Sequence, residues 1–224
     1  CLVLARALLG KVLVRSHPEF PGQLMKGLIV ETEGYLGVVD KACHSFGGKQ
    51  TARTAPMYMD PGTSYVYSIY GMYHCLNISS GGEGACVLIR ALQPLEGIDV
   101  MRLLRNRSRK KRSGSDNQSP QKQETTSSKT SKASELCISN GPSKLCQAMD
   151  ITRHNCNAKD LVSWNEMWVE ECDAKQEKSD GIVSCGRIGI SSYGEEWANK
   201  PWRFYLRGNP FVSVRNKEAE NSIT

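Results

Sequence analysis

Residues 24–36, LMKGLIVETEGYL, are an apolar run that ends in two carboxylates and a tyrosine. Side chains of an extended segment alternate between faces, so Glu31, Glu33 and Tyr35 point the same way. Two acids and an aromatic ring on one face suit a site better than a core. Similar strand-like runs occupy 10–16 (GKVLVRS), 63–79 (TSYVYSIYGMYHCLNIS) and 85–95 (ACVLIRALQPL), each rich in β-branched or aromatic residues and bounded by Gly or Pro. Residues 95–105 have helical spacing, with Ile98, Met101 and Leu104 or Leu103 on one side. A second helix is predicted in GPSKLCQAMDI, where Pro142 suits the first turn and Leu145 and Met149 share a face. Further strands are predicted at 186–192 (GRIGISS) and 202–214 (WRFYLRGNPFVSV). The expected fold is mixed α/β, of the α+β kind: one compact domain over 1–214, built on a curved, mainly antiparallel sheet with peripheral helices, and followed by a tail at 215–224.

The chain's 224 residues with 39% hydrophobic content suffice for one substantial core. No apolar run approaches the length that crosses a bilayer, and CLVLARALLGKVLV lacks the small-residue cleavage site of a signal peptide. Cys1, in the place of an initiator Met, leads us to expect a piece of a longer protein, with any targeting signal upstream. The nine cysteines include no Cys-x-x-Cys pair, and several sit inside strand-like runs, where free thiols behave as small hydrophobes. Reduced thiols therefore fit better than the disulfide framework of a short secreted domain. The net charge of +6 is concentrated in 105–132, RNRSRKKRSGSDNQSPQKQETTSSKTSK, whose own net of +7 leaves −1 for the rest. Global charge thus makes no case for nucleic-acid binding. The segment has no aromatic or large aliphatic residue and is read as a disordered insertion within the domain. RKKR inside it fits nuclear import, a loose phosphate contact, or a solvated loop.

Four constellations could carry chemistry. Glu31 and Glu33 could supply a general base, two solvated acids at a strand end, or, with Asp40 and His44, metal ligands. Tyr65, Tyr67, Tyr70 and Tyr73 crowd one strand and the bend at Gly71; they serve a packed sheet face, or a wedge and stacking platform for bases. In HSFGGKQTAR, His44, Lys49 and Arg53 lie among glycines, an arrangement suited to phosphate but common in basic turns. Arg90, inside an apolar strand, needs a carboxylate, and Glu33 at the end of another strand is the favoured partner over an outward, snorkelling arginine.

Taken in order, GLIVETEGYLGVVDKACHS, MYMDPGTSYVYSIYGMYHCLNIS, ACVLIRALQPLEGIDVMR, GPSKLCQAM and KPWRFYLRGNPFVSV resemble the alkyladenine (3-methyladenine) DNA glycosylase family, from about Leu4 to Val214. The resemblance implies a compact mixed α/β fold without a helix–hairpin–helix. It implies a monofunctional enzyme that flips damaged purines (3-methyladenine, 7-methylguanine, hypoxanthine, ethenoadenine) from duplex DNA and hydrolyses the glycosidic bond, without a cofactor or metal. By the same resemblance Glu33 activates the water that attacks C1′, with Arg90 and the carbonyl of Ile188 holding it. Tyr35 stacks on one side of the flipped base, His44 and Tyr67 on the other. Asn77 disfavours guanine-type bases, and Ala42 and Leu88 complete the pocket. Tyr70, beside Met72, enters the duplex. Arg105 matches a phosphate contact, as do Lys49, Thr51, Arg53, Ser143 and Lys144. Glu31 matches no catalytic residue. Gly34 stands where the pattern has Ala, which is expected to loosen the backbone beside Glu33. The family reading further implies a monomer, no membrane, a nuclear location with room for a mitochondrial pool, and handover to abasic-site repair proteins. A silent binder of distorted DNA and a metal-dependent hydrolase are the competing classes.

Overall fold

The apolar run becomes strand β2 (Leu24–Tyr35), and the sheet is organised around it. The structure, a computed structural model, describes residues 1–113, 135–172 and 181–222. Its helices are α1 (Leu2–Ala7), α2 (Ile98–Ser113), α3 (Pro142–Ala148), α4 (Arg153–Cys156), α5 (Glu195–Ala198) and α6 (Lys217–Asn221). The other strands are β1 (Val12–Ser16), β3 (Ser64–Ile69), β4 (Tyr73–Ser79), β5 (Cys86–Glu96), β6 (Met167–Glu170), β7 (Ile182–Cys185) and β8 (Arg203–Leu206). The eight strands form one curled antiparallel sheet in the order β3-β4-β5-β2-β1-β6, with β8 joined to β2 and β7. One edge of β2 is shared: Leu24–Leu28 pair with β1, and Glu31–Glu33 pair with β8. Along its other edge β5 pairs throughout, with register shifts on both sides of Glu31. Such irregularities increase twist and bend the ladder. They bend this sheet where the acidic residues lie.

One face of β2 supplies the core, and Ile29, Val30 and Thr32 are fully buried. The Thr32 hydroxyl donates to the Ala5 carbonyl at 2.7 Å, tying α1 to that face. Helices α2 and α3 pack on the same core through Met101, Leu104, Leu145 and Met149. A Cβ at Gly34 would lie 2.6 Å from Cδ2 of Leu2 in α1, so an alanine there requires that leucine side chain to shift. Gly37 is different, because its φ of +75° and a Cβ position 2.1 Å from the Glu83 carbonyl leave glycine as the residue that fits the turn after Tyr35.

Several elements depart from the sequence expectation. Residues 186–192 form no strand; the chain turns there, with Gly189 at φ +76°, and strand β7 lies earlier. Only Arg203–Leu206 of 202–214 is extended, because Gly208 takes φ +75° and breaks the run. Helix α2 continues to Ser113, so it takes in the first residues of the basic segment, where amphipathic periodicity gives way to charge. Residues 114–132 of that segment lie outside the described residues.

Candidate active site

Antiparallel register places opposite residues on the same face. Tyr65 in β3 lies opposite Asn77 in β4, Asn77 opposite Leu88 in β5, Leu88 opposite Glu33 in β2, and Glu33 opposite Arg203 in β8. Stepping two residues along each strand adds Tyr67, Cys75, Cys86, Arg90, Glu31 and Tyr35 to that face. The period of two seen in the sequence thus becomes a grid across five strands. Most of it lines a cavity of about 350 Å³, together with Ala42, His44, Ile188 and Pro142.

Glu33 is fully buried and lies behind the cavity wall, against the lining residues Tyr35, Arg90 and Ile188. Its Oε1 accepts from the Ile188 N–H at 2.8 Å and lies 3.1 Å from Nη1 of Arg90, while Oε2 accepts from the Tyr35 hydroxyl at 2.8 Å. Arg90 therefore meets Glu33, as the sequence suggested, and its Nε also donates to Oε1 of Glu31 at 3.0 Å. Arg203 completes the set, with Nη1 donating to the same Glu31 oxygen at 2.7 Å. Two buried carboxylates and two buried guanidiniums balance in charge. Burial opposes the charge of Arg90, but Glu33 and Glu31 outweigh it and hold its pKa above the ordinary arginine value. Glu31 thus shares the face of Glu33 but is occupied by two arginines. Burial, then the Glu33 charge, push the Tyr35 phenol well above its usual pKa, so it keeps its proton and remains a donor.

The second face of Tyr35 is backed by Arg187, a residue the sequence reading did not single out. Its guanidinium lies 4.6 Å from the Tyr35 ring centroid and 4.9 Å from that of Trp202. It donates to both oxygens of Asp40, at 2.6 and 3.0 Å, and to the Gly34 carbonyl at 3.1 Å. Asp40 in turn accepts from the N–H groups of Leu36 and Ala42, fixing the loop that leads to His44. Among the described residues no three His, Cys, Asp or Glu side chains are grouped to hold a metal ion. Asp40 belongs to the arginine pair, and His44 contacts Tyr65.

His44 Nδ1 lies 2.8 Å from the Tyr65 hydroxyl, and Nε2 lies 3.4 Å from Nη2 of Arg53. A guanidinium only donates, so Nε2 is the acceptor and Nδ1 carries the proton. Burial, and then the Arg53 charge, lower the His44 pKa to about 4, leaving a neutral ring at neutral pH. That ring sits edge-on to Tyr67 at 4.7 Å between centroids. Asn77 donates from Nδ2 to the Tyr65 carbonyl at 3.1 Å, which sets its amide orientation in the wall.

At the tip of the β3–β4 hairpin, Tyr70 takes φ 52° and Gly71 φ 68°, with the Met72 N–H returning to the Ile69 carbonyl at 3.1 Å. This is the I′ turn that suits hairpin twist, but a tyrosine rarely occupies it. Tyr70 is 88% exposed and Met72 55%, so two large apolar groups project from the protein beside the cavity wall at Ile69.

The basic residues are less uniform. Lys49 and Thr51 are exposed. Arg53 lies over the Tyr67 ring at 5.2 Å and against His44, so it is also part of the pocket wall. Arg105 donates to the carbonyls of Cys137 and Ile138, an anchoring role that the sequence did not reveal. Lys144 reaches Asn140 at 2.7 Å, and it and Ser143 follow the cavity-lining Pro142.

With the geometry in hand, the chain was compared with known proteins. The family model described as methylpurine-DNA glycosylase matches residues 1–210. The chain is 49% identical over 217 residues to a protein named DNA-3-methyladenine glycosylase from Homo sapiens, covering 97% of this chain and 66% of that protein. It is 48% identical to the Mus musculus protein of the same name, over 98% of this chain and 60% of the relative. A probable DNA-3-methyladenine glycosylase of Encephalitozoon cuniculi is 45% identical over 99% of this chain and 92% of its own length. The chain therefore spans just under two thirds of the mammalian relatives.

Proposed function

The chain belongs to the methylpurine-DNA glycosylase family, and from that premise we propose that it is a monofunctional glycosylase acting on alkylated and deaminated purines in duplex DNA. The observation that carries this reading is the position of Glu33. It is a fully buried carboxylate, held by Arg90, the Ile188 amide and the Tyr35 hydroxyl, three groups that line an aromatic pocket beside a projecting tyrosine.

An enzyme that attacks a stacked base must first extrude it, at a cost of a few kcal/mol that is least for damaged or mispaired bases. Tyr70 is placed to fill the vacated stack, and its exposure is useless to the fold itself. The extruded base would enter between Tyr35 and the edge-on pair of His44 and Tyr67. Alkylation at N3 or N7 makes a purine cationic. Tyrosine faces favour such a base by a cation–π contribution, and a neutral His44 does not repel it. Asn77, with its amide fixed by Tyr65, supplies the polar discrimination in the wall.

Glu33 then takes a proton from water as that water attacks C1′, and the electron pair of the glycosidic bond leaves with the base. The ion pair with Arg90 fixes the carboxylate, and the Ile188 N–H adds orientation through the same oxygen. Ile188 acts here through its amide hydrogen, in addition to the carbonyl role implied by the resemblance. A cationic base departs without prior protonation; a neutral lesion is helped less, since no acid faces it in this pocket among the described residues. Among the described residues no lysine lines the pocket to attack C1′, which supports simple hydrolysis to an abasic site without strand cleavage. The same proposal carries a nuclear location with room for a mitochondrial pool. The test is single-turnover excision from duplexes carrying each damaged purine, with EDTA present, for the wild type and Glu33→Gln. Release of base by wild type alone supports the assignment; equal release by Glu33→Gln refutes it, and loss of wild-type activity in EDTA points to the metal-dependent class.

A further inference from the structure

Three cysteines line the cavity without a part in that chemistry: Cys43, Cys75 and Cys86. Cys75 stands on β4 opposite Tyr67. Cys43 and Cys86 pack with Met57 and Tyr65 in a small cluster of their own. They reach one another from separate elements. Cys86 stands on β5 opposite Tyr35, and Cys43 comes from the loop that Asp40 holds.

Cys43 faces a hydroxyl and a carbonyl, its thiol lying 3.7 Å from the Gly84 carbonyl oxygen. Its Sγ is 3.1 Å from the Ser45 hydroxyl, which lies 2.7 Å from the Gly84 carbonyl. As a thiol, Cys43 passes its proton toward Ser45 and Ser45 toward Gly84; as a thiolate it accepts from the hydroxyl turned round. The backbone N–H groups of Ser45 and Gly37 also point to this sulfur. The Cys86 thiol above all, then the Ser45 contacts, overcome burial and lower the Cys43 pKa to about 6, whereas Cys86 is pushed up by the same contact.

We propose that Cys43 and Cys86 form a peroxide-sensitive pair in the pocket wall, and that its closure to a disulfide switches base binding off. The disulfide chemistry stands by itself, while its effect on base binding rests on the glycosylase reading. The Cys43 thiolate attacks one peroxide oxygen, the O–O bond breaks, and the departing oxygen takes up a proton as water, leaving Cys43 as a sulfenic acid. The Cys86 sulfur then attacks the Cys43 sulfur; the S–O bond breaks and the hydroxyl leaves as water with the Cys86 proton. Two thiols are oxidised and one peroxide is reduced to two waters. Closure draws Cys86 toward Cys43 and away from Asn77, whose Oδ1 now lies 3.8 Å from its sulfur. It also tightens the loop that carries Ala42 and His44.

The whole chain is treated with stoichiometric hydrogen peroxide, blocked with N-ethylmaleimide, and mapped by non-reducing peptide mass spectrometry. The expected product is a Cys43–Cys86 cross-linked peptide that dithiothreitol removes, with excision at least tenfold slower before reduction and restored after it. In Cys86→Ser, dimedone should trap the sulfenic acid on Cys43; in Cys43→Ser, neither product should form. Oxidation of the exposed Cys137 with Cys43 and Cys86 still reduced overturns the pair. A cross-link with unchanged excision overturns the switch. A lesion-bearing duplex should shield Cys43 from N-ethylmaleimide. A cross-link in free protein without such shielding counts against the base pocket and not against the thiol chemistry.

Discussion

The buried quartet of Glu31, Glu33, Arg90 and Arg203 predicts a specific pattern of stability losses. In the native state its charges cancel, and each member is 8% exposed or less. Arg90→Met removes one cation. Glu31 keeps Arg203, but Glu33 is left with two neutral donors, Ile188 N–H and Tyr35 O–H. Breaking a buried pair costs about 3–5 kcal/mol, and the two surviving donors place this case near the lower end. For a chain of this size each kcal/mol lowers Tm by about 2–4 °C, so the expected loss is roughly 6–12 °C. Glu33→Gln instead leaves one excess positive charge, with Arg90 still paired to Glu31. Its cost is smaller, about 1–3 kcal/mol. The double variant returns the site to neutrality with the Glu31–Arg203 pair intact. It should be more stable than the sum of the single losses by at least about 1 kcal/mol, within the range seen for directly interacting groups. Urea and thermal denaturation of the four proteins measure this cycle. Costs that add to within about 0.5 kcal/mol would refute the quartet as an interacting unit. Base release reports separately on chemistry. Glu33→Gln is nearly isosteric and remains folded, yet loss of a general base should slow excision by roughly 10²–10⁴-fold or more.

Three further outcomes follow from single features of the site. Tyr70→Gly removes a non-glycine residue from φ 52° and should stabilise the fold by about 1 kcal/mol, while weakening the extrahelical signal of a fluorescent base analogue in a lesion duplex; a less stable variant would show that the turn is not strained. His44 is neutral in the fold, with its pKa lowered to about 4, whereas the unfolded chain takes up the proton near 6.5. The unfolded state therefore binds more protons in between, and stability is lost as pH falls from about 6.5 towards 4. Denaturation midpoints should depend less on pH across that window in His44→Gln, and equal slopes would exclude the assignment. Arg187→Lys keeps the charge but loses the planar stack on Tyr35 and one bond to Asp40, a cost of about 1–3 kcal/mol. Lesion affinity should fall with it, because Tyr35 loses its backing; unchanged affinity would mean that Tyr35 is held from elsewhere.

What could be read from the chain beforehand, and what could not, divides along the range of the interactions involved. Alternation put Glu31, Glu33 and Tyr35 on one face, and the sheet keeps them there despite the register shifts beside Glu31. A lone arginine in an apolar strand called for a carboxylate, and Arg90 meets one. These inferences need only the period of a strand and the cost of an unpaired buried charge. By contrast, Arg187 looked like one basic residue in a glycine-rich stretch. The bidentate partner that explains it, Asp40, is 147 residues away in sequence, and no local pattern encodes that pairing. The same stretch, GRIGISS, resembled a strand by composition, yet it turns so that the Ile188 amide can reach Glu33. There a local propensity yields to a long-range polar requirement, since a fully buried carboxylate needs donors on both oxygens.

That contrast also settles why the two acids diverge. Glu31 and Glu33 have the same residue type, the same strand, the same face and the same arginine between them. What separates them is the third partner. Glu31 is closed off by Arg203, a second cation on the buried side, whereas Glu33 is met by the neutral donors of Tyr35 and Ile188, which both line the cavity. Glu31 is thus enclosed by two guanidiniums, whereas two of the three groups that hold Glu33 are neutral donors belonging to the cavity wall. On the proposed mechanism, the distinction between a structural and a catalytic acid thus lies in β8 and the 186–192 turn, far from the strand that carries them both.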